Sequence, residues 1–173
     1  MSDFALSAEA REWIYKNIPE GSIICEYGSG AGSAILAERY KMYCVENDLE
    51  WVGKYSKINY IYSKLKQHKA VKGFDADVWY TPSDLEHLKE LDVSLFIIDG
   101  PKGGHGYGQS GRQGALKYFD LFKPGVPLLL DDVHRGAEKK LAIKLSARMK
   151  TPVTFHATWT DKHFAIIQPE KSI

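Results

Sequence analysis

Three groups of residues in this 173-residue chain have the types and spacing for chemistry. The first is Glu26-Tyr27-Gly28-Ser29-Gly30-Ala31-Gly32-Ser33. Glycine at alternate positions permits a tight turn and lets a ligand approach the backbone closely. The helix start expected just beyond it offers free amides to a carboxylate or phosphate. The second is Glu46, which ends the next apolar run, where a carboxylate can accept hydrogen bonds from ribose hydroxyls. Strand, glycines, helix and acid in this order point to a nucleoside-containing ligand. A turn with convenient glycines and a surface glutamate is the plain alternative.

The third group is a trio of carboxylates. Phe96-Ile97-Ile98-Asp99-Gly100-Pro101-Lys102 places Asp99 at the mouth of an apolar strand, and Leu128-Leu129-Leu130-Asp131-Asp132-Val133-His134-Arg135 does the same for Asp131 and Asp132. Brought to one rim and left unpaired, the three would repel and raise one another's pKa. Mg²⁺ or another hard divalent cation removes that problem, taking a few carboxylates plus water and substrate oxygens. Two cation-free readings stay open. Asp99 or Asp131 could cap a helix or bind loop backbone, or Asp99 could handle substrate while Asp131 or Asp132 pairs with Arg135 or Lys102. His134 is near enough to be a further ligand, though a lone histidine at a helix start is more often structural.

Strands and helices must position these groups, and the chain alternates between the two. Ser7 caps a first helix over 7–17, ended by Pro19 and Gly21. Strands are expected at 22–27, 42–46, 58–62, 93–98 and 127–130, with helices over 33–40, 48–55, 83–91, 115–122 and 136–149. Residues 65–80 are ambiguous, and 152–158 with 163–168 read as a hairpin around Thr160-Asp161. Five βα units imply a parallel sheet with helices on both faces. The expected fold is α/β: a Rossmann-like, doubly wound, mostly parallel seven-stranded sheet with a C-terminal antiparallel hairpin. It forms one domain over 1–173 with its core at 22–168. Ligands of such sheets bind outside the carboxyl ends of the strands, where all three groups fall.

The glycine spacing is Gly-x-Gly-x-Gly, not the Gly-x-Gly-x-x-Gly of dinucleotide binders. With Glu26 to Ser33 and Val45-Glu46-Asn47-Asp48, the chain resembles the class I S-adenosylmethionine-dependent methyltransferases over about 22–168, closing hairpin included. The resemblance implies that the turn of Glu26, Gly28, Ser29, Gly30, Gly32 and Ser33 holds the methionine part of the cofactor. It also implies that Glu46 binds ribose, that Asn47 lies near the adenine and that Asp99 borders the cofactor. Ile98-Asp99-Gly100 and Leu130-Asp131-Asp132 are similar to the small divalent-metal O-methyltransferases of the catechol and macrolide-sugar types, which implies metal ligation by Asp99, Asp131 and Asp132. Lys102, three residues after Asp99, has the spacing of the catechol type's general-base lysine. Pro101, the loop from Gly103 to Gly111 and the lack of N-terminal helices to roof an acceptor depart from that pattern.

Methyl transfer from a sulfonium needs an aligned, deprotonated acceptor and little else. A divalent ion on a hydroxyl oxygen would lower its pKa, and Lys102 or His105 could take the proton. Seven of the fifteen glycines lie in 100–114, which is either a lid or a disordered loop. The expected reaction is O-methylation of a small-molecule or sugar hydroxyl. The alternatives are a metal-free enzyme acting on RNA or protein, and a nucleoside-binding module without catalysis.

Composition limits the remainder. Lysine and arginine number 23 against 22 acids, and 44% of residues are hydrophobic, which excludes a histone-like or disordered chain. No apolar run approaches membrane length, residues 1–10 have no signal-like core, and Cys25 and Cys44 cannot form a disulfide framework, so a cytoplasmic location without membrane partners is expected. Six lysines and no acid lie in 54–72, interleaved with Tyr55, Tyr60 and Tyr62. A solvated face is the expectation there and a nucleic-acid partner the alternative. Trp79-Tyr80 could roof a ligand or belong to the core. Arg112 and Arg135 could recognise an anionic acceptor or form helix-end ion pairs. A homodimer partner, or the glycine-rich loop, is expected to complete the acceptor site.

Overall fold

In the computed structural model, residues 6–75, 78–102 and 111–169 are described. Helix α1 (Ala8–Asn17) begins where Ser7 Oγ accepts a hydrogen bond from Ala10 N at 3.1 Å. It is followed by β1 (Ile23–Tyr27), α2 (Ala31–Leu36), β2 (Lys41–Glu46), β3 (Asn59–Tyr62), β4 (Leu65–Gln67), β5 (Val78–Tyr80), β6 (Val93–Ile98), α3 (Gly114–Lys117), β7 (Leu128–Leu130), α4 (Gly136–Met149), β8 (Val153–Ala157) and β9 (His163–Ile167). Seven strands form one sheet in the order β3-β2-β1-β6-β7-β9-β8. The first five in that order run parallel, and β9 pairs antiparallel with both β7 and β8. This is the doubly wound sheet with a closing hairpin that the sequence implies.

Apart from Val93 at the start of β6, alternation divides the buried residues of the seven-stranded sheet between two cores. Ile24, Met42, Cys44, Leu95, Ile97, Leu129, Phe164 and Ile166 pack with Ala10 and Ile14 of α1 and Leu36 of α2. Cys25, Tyr27, Val45, Phe96, Ile98, Leu128, Leu130, Ala165 and Ile167 face the other way, onto Trp79, Tyr80, Ala115 and the Leu141, Ala142 and Leu145 stripe of α4. Trp79 and Tyr80 are therefore core residues of the second face, tilted against Tyr27 at 5.4 and 5.9 Å between ring centroids.

Several local expectations are corrected. Residues 48–55 form turns rather than a helix, and Gly53, at φ +79°, lies in the left-handed region within them. The helix expected at 33–40 starts earlier and is shorter, because Ser33 Oγ accepts from Gly30 N at 2.9 Å and fixes the first turn. Residues 83–91 and 119–121 form 3₁₀ turns, reducing the helix expected at 115–122 to the four residues of α3. The ambiguous stretch contains the antiparallel ribbon β4–β5, separate from the main sheet.

Candidate active site

Register brings the three groups to one edge. Tyr27 pairs with Val45 on one side and Ile98 on the other, so the residues after β1, β2 and β6 emerge together. Gly28 N donates to Val45 O at 2.8 Å and Asp99 N to Tyr27 O at 3.0 Å. Ile98 pairs with Leu130, and Asp131 N donates to Ile98 O at 3.2 Å, which sets Asp131 beside Asp99.

The glycine turn depends chiefly on Gly28. Its φ of +99° is one that side chains rarely adopt, and a Cβ there would meet Gly100 N at 3.0 Å. In the reverse direction, a Cβ on Gly100 would lie 2.8 Å from Gly28 Cα and overlap the Tyr80 hydroxyl. Gly30, at φ −170°, is simply extended. With six residues, α2 is too short for a strong dipole, so the turn's contribution is close access to backbone.

Glu46 is held ready. Its Oε1 accepts from Asn47 N at 2.8 Å and Asp48 N at 3.0 Å, while Oε2 accepts from Ser29 Oγ at 2.7 Å. The first pair fixes the carboxylate plane. The second comes from a neutral hydroxyl, which a ligand hydroxyl can replace. Glu26 points to the α1/α2 face, buried, with Cys44 Sγ donating to its Oε2 at 3.6 Å. Burial pushes its carboxyl up to about 7 against the lowering influence of Ser33 and Cys44, and Asp131 and Glu46 add to the rise.

Asp99, Asp131 and Asp132 converge as expected, each offering one oxygen within 4.8 Å of the others. Arg112 joins them. Its Nη2 donates to Asp99 Oδ1 at 2.9 Å and to Asp132 Oδ2 at 2.7 Å, and its Nη1 to the Asp131 carbonyl at 2.7 Å. Arg135 adds a second ion pair to Asp132 Oδ2 at 3.1 Å, a pairing foreseen by the cation-free reading. Burial pushes Asp132 up, but Arg112 and Arg135 outweigh it and hold the group below its ordinary range. Burial, aided by Asp132, raises Asp131, whose Oδ1 is buried without a hydrogen-bond partner. Asp99 is raised by burial and by Asp131, with Arg112 opposing.

His134 is exposed, and its Nδ1 accepts from His163 N at 3.4 Å, a structural contact in keeping with the plainer expectation for it. Lys102 is exposed where the glycine-rich loop begins. His105 lies outside the described residues. Two groups escaped the sequence reading in their actual roles. Arg112 neutralises the cluster; the available signal was three converging acids with a lone arginine between them. Tyr80, besides its core packing, turns a buried, unpartnered hydroxyl toward Gly100, and no pattern in sequence announces that.

No protein-family model matches the chain, and a search of curated proteins finds no match. Solved structures do match. An rRNA methylase from Streptococcus thermophilus superposes with a TM-score of 0.58 at 14% identity, covering 92% of this chain and 94% of that one. Precorrin 8W decarboxylase of Methanobacterium thermoautotrophicum gives 0.57 at 15% identity, over 95% and 91%. A Streptococcus mutans protein described as a methyltransferase, in complex with SAH, gives 0.51 at 9% identity, over 92% and 93%. The chain thus has the Rossmann-like methyltransferase fold.

Proposed function

We propose that the protein is an S-adenosylmethionine-dependent methyltransferase acting on a hydroxyl acceptor. The observation that carries this is the pairing of the left-handed turn at Gly28 with the pre-oriented carboxylate of Glu46 at the carboxyl edge of the sheet. The same-fold Streptococcus mutans protein in complex with SAH supports it.

The bound cofactor supplies an activated methyl group. This chain's residues bind and align. Glu46 takes the ribose hydroxyls in exchange for Ser29, Asn47 borders the adenine, and the turn from Gly28 to Ser33, backed by the buried Glu26, faces the methionine part. The acceptor enters between the ends of β6 and β7. There the unpartnered Asp131 Oδ1 can accept a hydrogen bond from its hydroxyl, and Arg112 keeps Asp99 and Asp132 in place. Lys102 or His105 then takes the proton, each lying in the loop that follows Asp99.

A second reading rests on that same Asp131 oxygen. Asp99, Asp131 and Asp132 fit a divalent cation such as Mg²⁺, which would polarise the acceptor hydroxyl. Arg112 would then have to leave two carboxylates, and its three hydrogen bonds favour the cation-free form. The test is transfer of labelled methyl from S-adenosylmethionine to a panel of sugars, catechols and RNA, with Mg²⁺ and with chelator. Turnover insensitive to chelator supports the first form, and turnover abolished by chelator supports the second. Transfer to none of the panel, with no cofactor binding, contradicts both.

A further inference from the structure

We propose that the face built by residues 66–74 and α4 binds a single-stranded polynucleotide and delivers it to the candidate active site. The inference rests on the methyltransferase reading only for what happens at the rim, since binding itself needs no cofactor.

In sequence the two lysine-rich stretches are some 65 residues apart, and the first alone reads as a solvated face. The structure joins them. Lys140 Nζ donates to Gly73 O at 2.6 Å, and the Lys140 and Lys144 ammonium groups lie 5.2 and 5.9 Å from the centre of the Phe74 ring. The segment that carries Lys66, Lys69 and Lys72 thereby abuts the helix that carries Lys139, Lys140 and Lys144. Five of the six are exposed, Lys144 is half-buried, and among the described residues none forms an ion pair. Residues 66–74 contain no acid, the exposed Asp75 follows them directly, and the acid of α4, Glu138, is buried. A chain with net charge +1 has therefore concentrated cations here.

Aromatic rings lie among the charges. Phe74 is flanked by Lys140 and Lys144, and Phe155, on the edge strand β8 and 41% exposed, has the Lys139 ammonium 5.7 Å from its ring centre. Lysines interleaved with accessible rings suit a strand whose phosphates are spaced by bases that can stack. A carboxylated polysaccharide has no bases to stack, and an anionic membrane asks for a flatter face with apolar anchors. Both ends of the surface reach the site: Ser63 N, just before the ribbon, donates to Glu46 O at 2.9 Å, and α4 begins four residues after Asp132.

The experiment is fluorescence anisotropy of a labelled 20-nucleotide mixed-sequence RNA, and of the DNA of the same sequence, against the full chain without cofactor. Salt is varied from 50 to 200 mM. The variants are K66E/K69E/K72E/K139E and the same positions changed to arginine, each checked for folding by thermal unfolding and for SAH binding by calorimetry. Binding should weaken linearly in log–log form with a slope of roughly −3, about four phosphates at −0.7 each. The glutamate variant should lose at least about tenfold in affinity and the arginine variant should retain it, with SAH binding unchanged in both. RNA and DNA binding alike assigns the surface to the phosphodiester backbone; RNA alone assigns it to the ribose-bearing strand. No binding at 50 mM salt, or equal affinity in the glutamate variant, overturns the proposal. So does equal binding of polygalacturonate or of vesicles one-third phosphatidylserine. Loss of SAH binding by the unaltered chain would count against the methyltransferase reading alone.

Discussion

Gly28 and Gly100 face each other without side chains between them: a Cβ on either would come within 3.0 Å of the other's backbone. The turn after β1 and the loop after β6 are thus in contact. Gly28→Ala adds a methyl group at φ +99° against Gly100 N. It should cost about 1–3 kcal/mol in stability and weaken SAH binding at least about tenfold. Gly30→Ala, at an extended φ, should do far less to the turn. Urea unfolding and calorimetry on both variants check this, and equal effects would contradict it.

Tyr80 bears on the same contact. Its hydroxyl is buried next to Gly100 with no hydrogen-bond partner. Removing it as Tyr80→Phe should stabilise the ligand-free protein by about 1 kcal/mol, the cost of an unmade hydrogen bond. If the hydroxyl finds its partner on the ligand, SAH should then bind several-fold more weakly. A destabilised Tyr80→Phe would mean that the hydroxyl is already satisfied.

Glu26 makes stability depend on pH. Its folded pKa of about 7 lies above the ordinary 4.5. Between those values the folded chain keeps a proton that the unfolded chain releases. Stability is therefore highest below about pH 4.5 from this group and falls as pH rises toward 7, by roughly 3 kcal/mol in all. Glu26→Gln should flatten the profile and exceed the unaltered protein in stability above pH 7. Parallel profiles from pH 5 to 8 would contradict the assignment.

Arg112 is the buried cation of the carboxylate cluster. Arg112→Met leaves Asp99 and Asp132 short of a buried partner and should cost about 3–5 kcal/mol. If the three aspartates can hold a divalent ion once the guanidinium is gone, millimolar Mg²⁺ will restore thermal stability to Arg112→Met and not to Arg112→Met/Asp131→Asn. Equal melting temperatures with and without Mg²⁺ in both variants would remove the divalent-cation reading.

The parallel core was legible because its strands are short apolar runs ending in chemistry: Ile23–Tyr27 before glycine, Val93–Ile98 before Asp99, Leu128–Leu130 before Asp131. Such runs need no partner to be recognised, since burial on both faces leaves only one pattern. Helical turns were less legible. Residues 48–55 carry the charges of a helix but bury no apolar stripe, and Gly53 turns the chain instead. The carboxylate trio was legible as a cluster needing positive charge, but not the identity of that charge. Arg112 is 13 residues from Asp99 and 20 from Asp132, and only the three-dimensional fold brings it to them. The joining of Gly73 to Lys140 spans 67 residues and has no local signature at all.

The most direct test is calorimetric titration of S-adenosylhomocysteine into the protein and into Glu46→Ala. A single site of micromolar affinity in the unaltered chain, weakened at least about tenfold by Glu46→Ala while the fold is retained, is the predicted result. No binding to the unaltered chain, or equal binding to both, would contradict the assignment of this edge of the sheet as a cofactor site.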